Sequence, residues 1–146
     1  MKIDPANLNR HQLHDLIDHV IAPLPIALIS TIGPDGIYNV APFSFVTPVC
    51  SKPPVLVVSF GLRQAGKKDT QRNIEFTHDF VINVVDESLI SKAVQASTDY
   101  PCDVDEFKEV GLTAVESEKV KSPRVAESKV SLECRLVQKL ELIEDL

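Results

Sequence analysis

Cysteine is scarce in this chain and poorly placed for chemistry. Cys50, Cys102 and Cys134 are odd in number, far apart and never in a Cys-x-x-Cys spacing, so they suggest neither a disulfide framework nor a zinc site. Cys50 reads as a small buried hydrophobe, since no neighbouring histidine completes a Cys-His pair. Basic runs are missing too. Lys67-Lys68 is the only adjacent basic pair, and 15 basic against 21 acidic residues leave a net charge of −6, which argues against binding a nucleic-acid backbone. No apolar run is long enough to span a membrane, and Met1-Lys2-Ile3-Asp4-Pro5 shows no leader pattern, so a cytoplasmic protein with reduced thiols is expected. There is no Gly-x-Gly-x-x-Gly fingerprint, no catalytic triad, no internal repeat and no low-complexity segment. The carboxylates Asp99, Asp103, Asp105 and Glu106 lack EF-hand spacing and read as solvated.

What is present is enough for one globular domain across residues 1–146, because 44% of the residues are hydrophobic. Leu13, Leu16, Ile17 and Val20 recur at helical spacing, predicting a helix over 9–19 with Asn9 as its N-cap. His11, His14 and His19 on that helix do not form a ligand set and read as solvated. Residues 26–32 predict a buried strand, the turn Gly33-Pro34-Asp35-Gly36 follows, and residues 37–45 return as its hairpin partner. Residues 46–54 read as a polar connection and 55–60 as a central strand. Beyond it come a helix from Asp69-Thr70 to 77, a strand over 79–85 and a short helix over 89–97 burying Leu89, Ile90, Ala93 and Val94. A loop over 98–111, a short strand over 112–115 and a long one from 130 to about 142 complete the expectation.

Two stretches invite a functional reading. In Asn39-Val40-Ala41-Pro42-Phe43-Ser44-Phe45, alternate residues share a face, and Pro42 cannot donate a ladder hydrogen bond, which predicts an edge or a bulge. The backbone there either meets a ligand or simply ends a strand, with Ser44 capping a turn. Lys67-Lys68-Asp69-Thr70 opens a helix whose free amides and dipole would receive a phosphate. The plainer alternative is that Asp69 or Thr70 caps the helix while the lysines face water.

Four segments in order, Pro25-Ile26-Ala27-Leu28-Ile29-Ser30-Thr31, Asn39-Val40-Ala41-Pro42-Phe43-Ser44-Phe45, Lys68-Asp69-Thr70-Gln71-Arg72-Asn73-Ile74 and Ser122-Pro123-Arg124-Val125-Ala126-Glu127-Ser128, resemble the flavin reductase-like family of FMN-binding split-barrel proteins. The resemblance implies a mainly β fold with peripheral helices, a six-stranded antiparallel Greek-key split barrel, and a homodimer with FMN at the subunit interface. It implies that Ser30 and Thr31 lie beside the flavin ring, and that Ala41, Pro42, Phe43 and Ser44 meet the ring edge and ribityl phosphate. Lys68, Thr70 and Asn73 would hold the phosphate, with Arg124 as a further cofactor contact; read from the sequence alone, Arg124 pairs either with a flavin carbonyl, a phosphate or a dinucleotide, or equally with a surface acid.

Two departures from the family pattern stand out. Leu24 occupies a position before Pro25 where similar proteins carry arginine, and the chain stops at Leu146, where they continue through further strands. The expected function is an FMN-dependent oxidoreductase taking hydride from NADH or NADPH, for which the cofactor carries the chemistry and no catalytic side chain is required. The alternative is an FMN-binding electron carrier without a dedicated nicotinamide site.

Overall fold

The computed structural model describes residues 3–61 and 66–141. Among them lie α1 (Arg10–Val20), β1 (Ala27–Ile32), β2 (Tyr38–Phe43), β3 (Val46–Ser51), β4 (Pro54–Val58), α2 (Asp69–Thr77), β5 (Asp79–Val84), α3 (Ile90–Gln95), α4 (Glu106–Glu109), β6 (Ala114–Val115), β7 (Arg124–Val125) and β8 (Ser131–Arg135). The fold is mainly β with helices, as the sequence predicts. Asn9 caps α1 through a reciprocal pair: its side chain accepts from the Gln12 amide at 2.9 Å, and its own amide donates to Gln12 Oε1 at 3.1 Å.

The main sheet is antiparallel, in the order β2-β1-β5-β8, and β3-β4 and β6-β7 form two separate ladders. The β1–β2 hairpin turns through Gly33–Gly36, where Gly36 takes φ 78°, a left-handed conformation in which a Cβ would be strained. Strand β1 is buried on both faces because each has its own cover. Leu28 and Val40 face one cluster, with Leu89, Ala93 and Ala96 around α3 and with Phe107 and Val110 around α4. Ala27, Ile29, Phe43 and Ile82 face the other, against Val46, Leu56 and Val58 of the β3–β4 ribbon. Full burial of side chains the size of Leu28 and Ile29 stabilises by about 1.5–3 kcal/mol each.

Several expectations need correction. Residues 46–51 form β3, and β4 is not central: among the described residues it pairs only with β3, and Val57 is 49% exposed. Apolar residues on both faces of β4 therefore do not reflect a cover on both faces. Leu89 and Ala93 are buried as expected, but Ile90 and Val94 point outward, and Ala96 takes the third core position. The loop over 98–111 contains α4, capped by Asp105, and Glu106 is buried rather than solvated. The last strand ends at Arg135, and the part of the expectation at position 142 lies outside the described residues. Cys50 is exposed, not buried.

Candidate functional site

Helix α2 begins at the rim of the main sheet. Its N-cap is Lys68, in extended conformation and with no side-chain cap hydrogen bond, so neither Asp69 nor Thr70 does the capping that the simpler sequence reading assigned them. The first backbone bond of the helix runs from the Arg72 amide to the Lys68 carbonyl at 3.0 Å. The amides of Asp69, Thr70 and Gln71 precede it and have no acceptor within the helix. Instead of capping, Thr70 is buried and its Oγ1 accepts from Asn39 Nδ2 at 3.0 Å. One turn on, Asn73 Nδ2 donates to Thr31 Oγ1 at 3.1 Å. Thr31 and Asn39 are cross-strand partners, so these two bonds clamp α2 onto the β1–β2 hairpin. Gly33 lets the hairpin come close, since a Cβ there would meet Asn73 Oδ1 at 3.3 Å.

The structure gathers most of the sequence-derived candidates on this face. Thr31, Asn39, Ala41 and Phe43 alternate along β1 and β2 toward α2 and the β3–β4 ribbon, and Lys68 Nζ lies 5.5 Å from the centroid of the Phe43 ring. Ser44 follows β2 directly and is half-buried. Among the described residues strand β2 is an edge of the main sheet, one of the two outcomes expected from Pro42. The Val40 amide points off that edge and donates to Glu106 Oε2 at 2.9 Å, and Pro42, two residues on, shares the outward direction.

Ser30 and Arg124 lie elsewhere. Consecutive strand residues point to opposite faces, so Ser30 is turned away from Thr31. Its hydroxyl is fully buried, donates to the Pro123 carbonyl at 2.5 Å and accepts from Asn83 Nδ2 at 3.0 Å. Asn83 Nδ2 also donates to the Leu28 carbonyl at 3.0 Å, while Oδ1 accepts from the Val125 amide at 3.0 Å and Ser131 Oγ at 2.8 Å. This network joins β1, β5, β7 and β8. Arg124, in β7, donates through Nε and Nη2 to the Glu116 carbonyl at 3.3 and 3.0 Å, and its Nε sits 3.8 Å from Glu133. Hydrogen bonds from the Glu118 amide, and then the Lys119 amide, hold the Glu133 carboxyl below its ordinary pKa.

Two adjoining depressions open at the edge of β2. A small one of about 20 Å³ is lined by Asn39, Ala41, Lys68, Thr70, Tyr100 and Glu106. A larger cleft of about 220 Å³ runs along α2 toward the hairpin turn and shares Asn39, Asp69 and Glu106 with it. Glu106 is the residue that sequence reasoning missed. It sat among surface-like acids, and only the long-range return of α4 to β2 buries it. Among the described residues no group of three or more histidine, cysteine or acidic side chains is placed to hold a metal, and no helix is long and apolar enough to cross a membrane.

The three thiols differ in setting. Burial pushes the Cys134 thiol above its ordinary pKa, whereas Cys50 and Cys102 are exposed. Iodoacetamide is expected to label Cys50 and Cys102 first and Cys134 at least about tenfold more slowly, read by peptide mass spectrometry. Equal rates would contradict the packing of Cys134 against the Phe80 side of the core.

Comparison with known proteins bears on the family and the fold. Residues 21–145 match the family described as the flavin reductase like domain. An uncharacterised protein of Aquifex aeolicus is 43% identical over 125 residues, covering 85% of this chain and 64% of its own length. The chain thus spans about two thirds of the curated relatives it matches. Among solved structures, nitrilotriacetate monooxygenase component B from Bacillus cereus superposes with a TM-score of 0.93 at 29% identity, over 99% of this chain and 73% of that one. A protein of Shewanella frigidimarina with a split barrel domain gives 0.85 at 26%, over 97% and 71%, and flavoredoxin of Desulfovibrio vulgaris gives 0.74 at 30%, over 82% and 63%. A family match over most of the chain, joined to a fold that superposes on split-barrel structures, places this chain in the flavin reductase-like family.

Proposed function

We propose that this chain is the FMN-binding unit of a flavin reductase-type oxidoreductase. The observation that carries the reading is the start of α2, where open amides, the Lys68 ammonium and the dipole end meet the edge of β2. Lys68, Thr70 and Asn73 would hold the phosphate, Ala41, Phe43 and Ser44 would line the path from phosphate to ring, and Thr31 would set the position of Asn73. Pro42 offers no amide at its own position on that edge of β2. Ser30 and Arg124 act from the opposite face, where Ser30 fixes the register of β1 against the segment carrying Arg124. When bound, FMN supplies the hydride-accepting chemistry, with NADH or NADPH as donor. The chain binds and orients; no side chain here is assigned proton transfer.

Neither depression reaches the ~300 Å³ at which pockets for whole drug-sized ligands begin. That supports a site completed by a second subunit, in a homodimer with FMN at the interface. The exposed apolar residues Val49 and Val57 of the β3–β4 ribbon, with Phe45 just before it, support pairing there as well. The six-stranded Greek-key closure of the barrel and a cytoplasmic setting belong to the same proposal. A second reading, an FMN electron carrier, is favoured by Leu24 in place of arginine and by the likeness to flavoredoxin.

The test is anaerobic mixing of the FMN-loaded protein with NADH and then NADPH. The reductase reading expects the bound yellow flavin to bleach at a rate that saturates with nucleotide. Flavin that stays bound and is reduced by neither nucleotide would sink that reading and leave the carrier.

A further inference from the structure

Lys67 stands immediately before the N-cap of α2, yet its ammonium is turned away from the helix start. Its Nζ donates to both carboxylate oxygens of Glu75, farther along the helix, at 2.9 and 2.8 Å. The backbone at Lys67 is fixed separately, because its carbonyl accepts from Arg72 Nη1 at 3.1 Å. Only the side chain has to turn for the ammonium to leave Glu75.

Glu75 has a second cation. Lys139 Nζ lies 2.7 Å from Glu75 Oε1 and also pairs with Glu141. Lys139 belongs to the segment after β8, which passes the end of α2, where the Leu136 amide donates to the His78 carbonyl at 2.9 Å. Beyond Leu136 this segment is exposed, with Val137 at 87% and Leu140 at 71%, so polar contacts and not apolar burial hold it to the helix. Hydrogen bonds from Lys139, and then from Lys67, hold the Glu75 carboxyl below its ordinary pKa. Two lysines from opposite ends of the fold thus share one carboxylate.

Building on the flavin reading above, we propose that Lys67 is a reserve cation for the phosphate at the start of α2, and that docking of Lys139 on Glu75 decides whether Lys67 is released to it. A phosphate carries more charge than a carboxylate and accepts strong charge-assisted hydrogen bonds, so it competes with Glu75 for the ammonium. What limits the exchange is the carboxylate left behind. With Lys139 in place, Glu75 keeps a cation 2.7 Å away when Lys67 turns, and the exchange costs little. With Lys139 removed, Lys67 is the lysine that Glu75 retains. The segment after β8 therefore acts on phosphate affinity through Glu75, as a positioning element that touches no ligand.

The experiment is titration of the full chain with FMN, riboflavin and inorganic phosphate at low salt, for wild type, Lys67→Ala, Lys139→Ala, Glu75→Gln and the doubles that add Lys67→Ala to each of the other two. Circular dichroism checks that these surface variants keep the fold. Lys67→Ala and Lys139→Ala should each weaken FMN about threefold, and their double should be no weaker than Lys67→Ala. Glu75→Gln should tighten FMN about threefold, Lys67→Ala should abolish that gain, and riboflavin should be unchanged throughout. A simple loss of positive charge would make Lys139→Ala weaken FMN equally with and without Lys67, and that result overturns the coupling. Riboflavin shifting in step with FMN overturns it too, since it marks a role in the fold alone. Wild type that binds FMN through its phosphate while every variant matches it overturns the exchange and leaves the flavin reading standing. Wild type that binds neither flavin, with inorganic phosphate following the order given for FMN, removes the flavin reading and keeps the exchange. Binding of none of the three probes overturns both.

Discussion

Replacing both Lys68 and Thr70 with alanine should weaken FMN binding by about 30- to 150-fold, about 2–3 kcal/mol, while riboflavin binding barely changes. The size follows from what each residue offers. Lys68 places a cation at the helix start, and its removal also loses the contact over the Phe43 ring, 5.5 Å from the centroid. Thr70 is buried with Asn39 as hydrogen-bond partner, so alanine both removes a hydroxyl and releases the Asn39 amide group. Because the two sites are adjacent, the double variant need not equal the sum of the singles. Thr70→Ser should recover most of the loss carried by Thr70, since it keeps the hydroxyl. A double variant that binds FMN as wild type does would remove the start of α2 from the site.

The largest effect on stability is expected at Asn83. Asn83→Ala removes two donors and one doubly used acceptor from a fully buried position, orphaning the Val125 amide, Ser131 Oγ and the Leu28 carbonyl bond at once. Each unsatisfied buried group costs about 1–3 kcal/mol, and relaxation recovers part, so a net loss of about 3 kcal/mol is expected. For a chain of this size that corresponds to a drop in Tm of about 6–12 °C, measurable by calorimetry. Asn83→Asp should fare little better, because the carboxylate cannot donate to Leu28 and Ser30. A Tm within about 2 °C of wild type in the alanine variant would contradict the network as the link between β1, β5, β7 and β8.

How much was legible in the sequence depended on whether the signal was local. Helix α1 announced itself by apolar spacing and Asn9, and the β1–β2 hairpin by its Gly-Pro-Asp-Gly turn between apolar runs. Pro42 left two outcomes open for β2, an edge or a bulge, and the structure shows the edge. Strand β3 was hidden because Thr47, Pro48 and Ser51 read as a loop, and the strand is mostly exposed, so no hydrophobic alternation marks it. Strand β7 is two residues long, and α4 is four, too short for any periodicity to show. In the site, the helix start at Lys68 and Thr70 was legible from local chemistry, whereas Asn73 entered only through the family resemblance. The split between Ser30 and Thr31 was equally available from strand alternation, yet motif matching treated them as one unit. Glu106 was not legible, because its burial is set by a contact with Val40 66 residues away.

The most direct test is a side-by-side titration of the wild-type protein with FMN and riboflavin, which differ only in the phosphate. If the open amides and Lys68 at the start of α2 receive that phosphate, FMN should bind at least about tenfold more tightly, with the advantage shrinking as salt is raised. Equal affinities for the two flavins, unchanged by salt, would contradict the account at its centre.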